Sequence, residues 1–330
     1  MKKKLIALAV LAASGVVSAQ SSVTLYGIAD VWVGSLKTAG LRQTNIGSGG
    51  VDESRFGLKG SEDLGGGLKA NFVLEQGFQI DTGAQSTPGQ MFSRQAFVGV
   101  SGGFGEGRIG KTWTPFDDID GVARPAFNSA LSPSKNVWLS TGYNANPANT
   151  VYYATPAFSG FSGAASYSLN ENKTALVSAG KVASANVKYE GGPVYAGLAY
   201  QTEKANGGTQ TVKFTRANAS YNFGVVKLLA GYGRATNQFV VGSKTNEYEV
   251  GADFPVSTAL TLSGGYAASK TKDIVGLGDT KRKGYSLAAA YSLSKRTYLY
   301  GGVQASKATQ NGVAGDVKGD LYAVGIHHAF

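Results

Sequence analysis

Two histidines and no cysteine are all that this 330-residue sequence offers to imidazole or thiol chemistry. His327 and His328 are adjacent, so in an extended strand they point to opposite faces and cannot serve one site. A serine or aspartate nucleophile needs a base within hydrogen-bond reach, and neither histidine lies near such a residue in the sequence. Thiolate metal sites and disulfides are excluded with the cysteines. Asp117, Asp118 and Asp120 form an acidic run without the alternating ligand order of a calcium-binding loop. Gly65-Gly66-Gly67 precedes no helical pattern, so it reads as a turn and not as a phosphate cradle. No enzyme, cofactor or metal follows from these residues. What remains is fixed charge. Arg55, Lys59, Glu75, Arg94 and Arg108 sit in short alternating segments, and Asp117, Asp118, Asp120, Arg124 and Lys135 in one long irregular stretch. Charges of this kind select ions if a scaffold aims them at one aqueous passage.

The composition narrows what that scaffold is. There are 47 Gly, 15 Phe and 17 Tyr, and charged residues make up 16%, against about 25% in soluble domains. Disorder does not fit such aromatic content. A helical membrane protein needs runs of about 20 apolar residues, and only the start of the chain approaches one. Residues 1–19 combine Lys2, Lys3 and Lys4, an apolar stretch from Leu5 to Val17, and Val17-Ser18-Ala19 as a small-residue cleavage site. They read as an export signal cut before Gln20. Its loss lowers the formal net charge from +10 to +7. The mature chain, 20–330, reads as a single domain.

Beyond the signal, apolar residues recur at every second position, the pattern of half-buried strands. Val23, Leu25, Val31 and Val33 share a face, with Thr24, Tyr26 and Asp30 opposite. Tyr285, Leu287, Ala289 and Tyr291 repeat the pattern near the end. The connections fall into two sets. Seven are short: 62–67, 102–107, 156–160, 190–193, 222–224, 254–257 and 292–295. Eight are longer: 34–52, 80–91, 114–149, 171–182, 203–210, 235–244, 270–282 and 308–318. Fifteen connections join sixteen strands. Short turns at one end and long loops at the other define an all-β, 16-stranded antiparallel transmembrane β-barrel. A soluble sandwich fits poorly, because the non-apolar face carries Ser, Thr, Gly, Asn and charge along nearly every strand.

The last strand places Tyr322, Val324, Ile326, His328 and Phe330 on one face, with Phe330 terminal. With it, SSVTLYGIAD, SRFGLKGSEDLGGGLKA, SRQAFVGVSGGFGEGRIGK, VYYATPAFSGFSG and GIHHAF resemble the Gram-negative general porin family, in its β-proteobacterial branch. The resemblance spans 20–330. It implies an outer-membrane homotrimer that lets small hydrophilic solutes and anions diffuse passively, and makes Phe330 the signal read by the outer-membrane assembly machinery.

It also implies a constriction. In similar porins the third long loop, here 114–149, folds inward, which would bring Asp117, Asp118, Asp120, Arg124 and Lys135 to the narrowest point. A basic wall is expected opposite. Arg55, Gly57 and Lys59 point inward if Phe56 and Leu58 face lipid. Arg94 points inward if Phe97 faces out, and Arg108 if Ile109 does. Arg55 and Arg94 match positions of the family's arginine cluster, Arg108 less directly, and Glu75 matches a carboxylate beside it. Asn146 stands near where the family often has a further arginine. Either the basic wall is weaker here, or Arg124 or Lys135 supplies that charge from the loop. Lys188, Arg216 and Lys227 are further inward bases, and the positive balance favours anions. Nucleic-acid binding is disfavoured, since no basic–aromatic groove appears. Lipopolysaccharide and other outer-membrane lipids are the expected partners of the loop bases. Gly27, Ala29 and Gly99 are expected outward, at trimer contacts. Two other readings are a channel specific for one anion or organic acid, and a surface adhesin or antigen.

Overall fold

In the computed structural model, the described residues are 22–330 apart from 39, 170, 172, 239, 273–275 and 277; the expected leader, 1–19, lies outside them. The alternating segments form seventeen β-segments: β1 (Ser22–Thr38), β2 (Leu41–Ser48), β3 (Arg55–Gly65), β4 (Leu68–Gly77), β5 (Gln95–Gly102), β6 (Gly105–Lys111), β7 (Thr150–Ala154), β8 (Phe161–Leu169), β9 (Lys181–Gly191), β10 (Val194–Lys204), β11 (Thr211–Asn222), β12 (Lys227–Thr236), β13 (Lys244–Pro255), β14 (Leu260–Lys272), β15 (Thr280–Ser292), β16 (Thr297–Gln310) and β17 (Val317–Ala329). Each pairs antiparallel with the next from β3 to β17. β1 pairs with β17 along one edge. Along its other edge it pairs first with β3 and then with β2. β2 and β3 are therefore two halves of one strand, and the barrel has sixteen staves. Closure leaves no open edge, as a spanning sheet requires.

The outer face carries the apolar set. Leu25, Val98, Ile109, Val187, Leu198, Val250, Leu287 and Val324 are all exposed there. A soluble protein would bury such residues; here lipid takes the place of a core. The buried apolar clusters lie on the inner wall instead, where the 112–149 connection packs against it.

One expectation changes. The connection expected over 34–52 is mostly strand: β1 runs to Thr38 and β2 begins at Leu41. Strand that projects beyond the bilayer needs no apolar outward face, so its composition resembles a loop. The interruption comes later, at 49–54, and turns inward. Asp30, fully buried, accepts the backbone N–H of Gly50, Val51 and Asp52 at 2.9, 3.0 and 2.9 Å and the Tyr300 hydroxyl at 2.6 Å. One carboxylate thereby satisfies amides that the broken ladder would otherwise leave unpaired.

The candidate constriction

The 112–149 connection folds into the barrel and runs along its inner wall. Phe116 meets Phe214 of β11 edge-on, with ring centroids 6.2 Å apart. Asn218 donates to the Ile119 carbonyl at 2.6 Å, and the Ala126 amide donates to Ser263 at 2.8 Å. Pro125 rests on Gly251 and Gly265, where an added Cβ would come within 2.5 Å and 2.4 Å of its ring. Those strand glycines are sites of close backbone approach. Further on, Ala126 and Leu131 pack with Ala288, Leu321 and Ala323, and Trp32 and Leu36 of β1 flank them. A one-turn helix, Pro133–Val137, carries Val137 and Trp138 against Ala267 of β14. The loop thus occupies the wall from β9 round to β1. The passage it leaves is bounded by β1 and β3–β6.

The loop acids do not face that passage as bare charges. Asp120 is gripped by Arg124 at 2.8 and 2.9 Å and by Arg216 at 2.7 Å. Burial opposes its ionisation, yet Arg124 and Arg216 hold its carboxyl below the ordinary aspartate value. Asp118 accepts from Tyr152 at 3.0 Å and Asn186 at 3.2 Å, and burial raises its carboxyl. Asp117 accepts from Tyr143 at 2.5 Å. Burial pushes it up to about 6 in spite of that bond. Arg124 is spent on Asp120 and Asn128. Lys135 is the exposed charge of the set.

On the facing wall, Arg55 and Arg94 converge on Glu75. Arg94 Nε lies 2.8 Å from Glu75 Oε1, and Arg55 Nε 3.7 Å from Oε2. Glu75 is buried and also accepts from Tyr26 at 2.9 Å. Lys59 lies over the Tyr26 ring, 5.0 Å from its centre. The sequence reading missed two carboxylates here. The inward segment 49–54 brings Glu53 onto Arg94 and Asp52 to 3.6 Å from Arg55. His327, stacked on Tyr298, lies 3.3 Å from Asp52. The wall is therefore mixed in charge and not purely basic. The acid pair in GGVDES was visible in the sequence, but nothing in strand periodicity signals an inward break.

Several expectations need correction. Phe97 faces inward, under Arg108 at 5.0 Å. Arg94 faces inward as well, because it precedes β5 and escapes that strand's alternation. Arg108 is paired with Glu106 at 2.7 Å and stacked on Tyr152 at 4.8 Å, and shares no ion-pair partner with Arg55 or Arg94. Arg216 is not a water-facing base. It is fully buried beneath the loop, over Trp138 at 4.4 Å, and donates to Ser140 at 3.0 Å. Lys188 is paired with Glu190 at 3.3 Å, and Lys227 lies at the start of β12, half-buried. Asn146 does lie beside the cluster, but it donates to the Ser93 and Arg94 carbonyls at 3.2 and 2.8 Å and adds no charge. Lys111 reaches the Asn146 carbonyl at 2.7 Å. Gly99 points inward against Arg108, so it is no outer contact. Gly27 is covered by the Phe330 ring of its own chain.

A family model described as Gram-negative porin matches residues 6–325. Outer membrane porin protein 32 of Delftia acidovorans is 40% identical over 275 residues, 78% of this chain and 76% of that one. An outer membrane porin protein of Bordetella pertussis is 31% identical over a 346-residue alignment, covering 87% of this chain and 89% of that one. Among solved structures, an anion-selective porin from Comamonas acidovorans superposes with a TM-score of 0.80 at 32% identity, over 94% of this chain and all of that one.

Proposed function

Because this chain belongs to the Gram-negative porin family and is a non-enzymatic outer-membrane channel, we propose that it passes small anions preferentially, through an eyelet between the 112–149 loop and the wall of Arg55, Lys59, Glu75 and Arg94. The carrying observation is the state of the loop acids. Asp120 is neutralised by two arginines, and Asp117 and Asp118 are tied to tyrosines. With Asp120 paired, exposed Lys135 on one side and the arginine cluster on the other outweigh Asp117, whose carboxyl burial raises to about 6. Asp52, Glu53 and Glu75 temper the cluster, so the preference is moderate. The name of the Comamonas relative, an anion-selective porin, supports the same sign. Low-dielectric walls focus whatever field remains.

The measurement is the zero-current potential of the refolded protein in a planar bilayer under a KCl gradient, for wild type and Arg94→Ala. Chloride preference is expected in wild type. It should fall roughly two- to fivefold in the variant, since a unit charge about 4 Å away in water is worth ~1 kcal/mol. Cation preference in wild type would overturn the sign. A potential that ignores the substitution would remove Arg94 from the eyelet. Saturable block by one organic acid at low concentration would favour a substrate-specific channel.

The same reading makes the protein a homotrimer, exported by a signal cut after Ala19. Ala29, half-buried Val31 and the exposed Val33, Ile46, Val324 and Ile326 form an outer wall over β1, β2 and β17. Unheated electrophoresis or native mass measurement that finds only monomer in mild detergent would sink the trimer.

A further inference from the structure

Above the constriction, toward the long-loop end, the inner wall carries a guanidinium that the eyelet does not use. Arg282 shares the inward alternation of buried Gly284, Ser286 and Ala288 on β15. It donates to Thr271 of β14 at 3.1 Å, and Thr271 bonds buried Thr245 at 3.0 Å, which fixes the group on the lumen side. Among the described residues Thr271 is its one hydrogen-bond partner, and no carboxylate lies within ion-pair distance. An arginine has five N–H donors, so most of this one's capacity is unspent.

Beside Arg282 the wall is hollow. Leu36 of β1, Gln304 and Ser306 of β16, Gly319 of β17 and Asn136 of the one-turn helix line with it a space of about 220 Å³. Asn136 belongs to the loop inside the barrel, so the hollow opens to the lumen and not to lipid. The space exists because β17 carries no side chain at this point: a Cβ on Gly319 would come within 3.2 Å of Ser306 Oγ. Gln304 is buried, and among the described residues its amide nitrogen has no partner. A buried amide is costly until it is bonded, and a carboxamide turned end for end offers either N–H or carbonyl. The floor is apolar, since Leu36 packs on the cluster of Leu131, Ala288 and Leu321. These surroundings select a ligand. One guanidinium with flanking amides suits one carboxylate, a planar acceptor that takes paired N–H groups. The apolar floor offers nothing to a second charge. The volume lies below the ~300–1,000 Å³ of sites for drug-sized molecules, which restricts the ligand to a short chain.

We propose that this hollow is a docking site for a small aliphatic monocarboxylate, its carboxylate on Arg282 and Gln304 and its chain on Leu36. The site deepens the channel reading and rests on it for one point, that solutes entering from the long-loop side pass it. An acid held there is concentrated one step before the eyelet, by contacts weak enough to release it onward.

The test measures binding and not current. Mature protein refolded in deuterated detergent is titrated with butyrate, and saturation-transfer NMR reads the bound fraction. Wild type should saturate. Arg282→Gln should weaken butyrate about tenfold, the usual cost of losing a hydrogen bond to a charged group. Gly319→Leu should weaken it as much, by filling the space with Arg282 intact. Arg94→Ala alters the eyelet alone and should leave butyrate affinity as in wild type. Butyramide, which lacks the charge, should bind about tenfold more weakly than butyrate. The heat-dependent shift in electrophoretic mobility shows that each variant folds. Wild-type affinity in Arg282→Gln or in Gly319→Leu overturns the site, and so does an equal loss in Arg94→Ala, which would seat the acid at the eyelet. Succinate or inorganic phosphate binding as tightly as butyrate overturns the aliphatic monoacid. Cation preference in the bilayer with this binding pattern intact would overturn the anion reading of the channel and leave the site standing.

Discussion

At the scale of single residues, the charges of this channel are decided by partners more than by their number. Asp117 is the loop acid with the most to give. It is held by one tyrosine hydroxyl, and burial brings its carboxyl up to about 6. The sign follows from linkage: the folded loop favours the protonated form, so this group's contribution to stability falls as pH rises from about 4 to about 6. The same proton controls current. Above pH 6 the carboxylate opposes anions, and below it the loop loses a negative charge. Chloride preference is therefore expected to rise between pH 7.5 and 5. Asp117→Asn should lose that part of the response and resemble acidified wild type at neutral pH. Reversal potentials at the two pH values decide the matter, and a full pH response in the variant would rule Asp117 out. Arg55 and Glu75 were legible because strand alternation and the family pattern agree on them, whereas Arg94 was legible from the family pattern alone, since it precedes β5 and escapes that strand's alternation. The loop acids were legible only as a composition, since nothing local tells an acid facing water from one buried on an arginine four residues away.

At the scale of elements, two irregular segments shape the lumen, and each hangs on one buried charge. The loop hangs on Arg216, which joins Asp120, Ser140 and Trp138 to β11. Its replacement by Leu strands buried acids, a change worth about 3–5 kcal/mol in comparable buried pairs. The strands do not depend on it, so the barrel should still form. Arg216→Leu should show noisier single-channel current and faster proteolysis within 112–149; quiet, protected channels would mean that Pro125 and Trp138 anchor the loop without it. The 49–54 break hangs on Asp30. Asp30→Ala removes four hydrogen bonds to a carboxylate, each worth ~1.5–3 kcal/mol, and frees Asp52 and Glu53 from the arginines. Thermal stability should drop while chloride preference rises. A drop in both would show that the segment holds Arg55 and Arg94 in place and does not merely temper them. Strand number and direction could be read from two-residue periodicity. Neither irregular segment could, because each is fixed by contacts more than a hundred residues apart in sequence, Asp30 with Tyr300 and Ser140 with Glu247.

At the scale of the whole molecule, the barrel must close between its first strand and its last, and the chain terminus takes part in that seam. Phe330 and Gly27 exchange backbone bonds at 3.1 and 3.0 Å, one residue beyond the β1–β17 ladder. The Phe330 ring lies where a Gly27 side chain would be, with an added Cβ 2.3 Å from its Cζ. A terminal aromatic read only as an address by an assembly machinery would need no such fit. The two roles separate in vitro, where no machinery is present. Deletion of Phe330 should slow refolding into detergent micelles and lower the temperature at which the barrel opens, by removing two ladder bonds and an apolar ring from the seam. Gly27→Leu should do the same with the terminus intact, because ring and side chain cannot share the space. Both effects are read by the heat-dependent shift in electrophoretic mobility. If the deletion refolds and melts like wild type while failing to reach the outer membrane in cells, Phe330 is an address alone, and Gly27 is small for another reason.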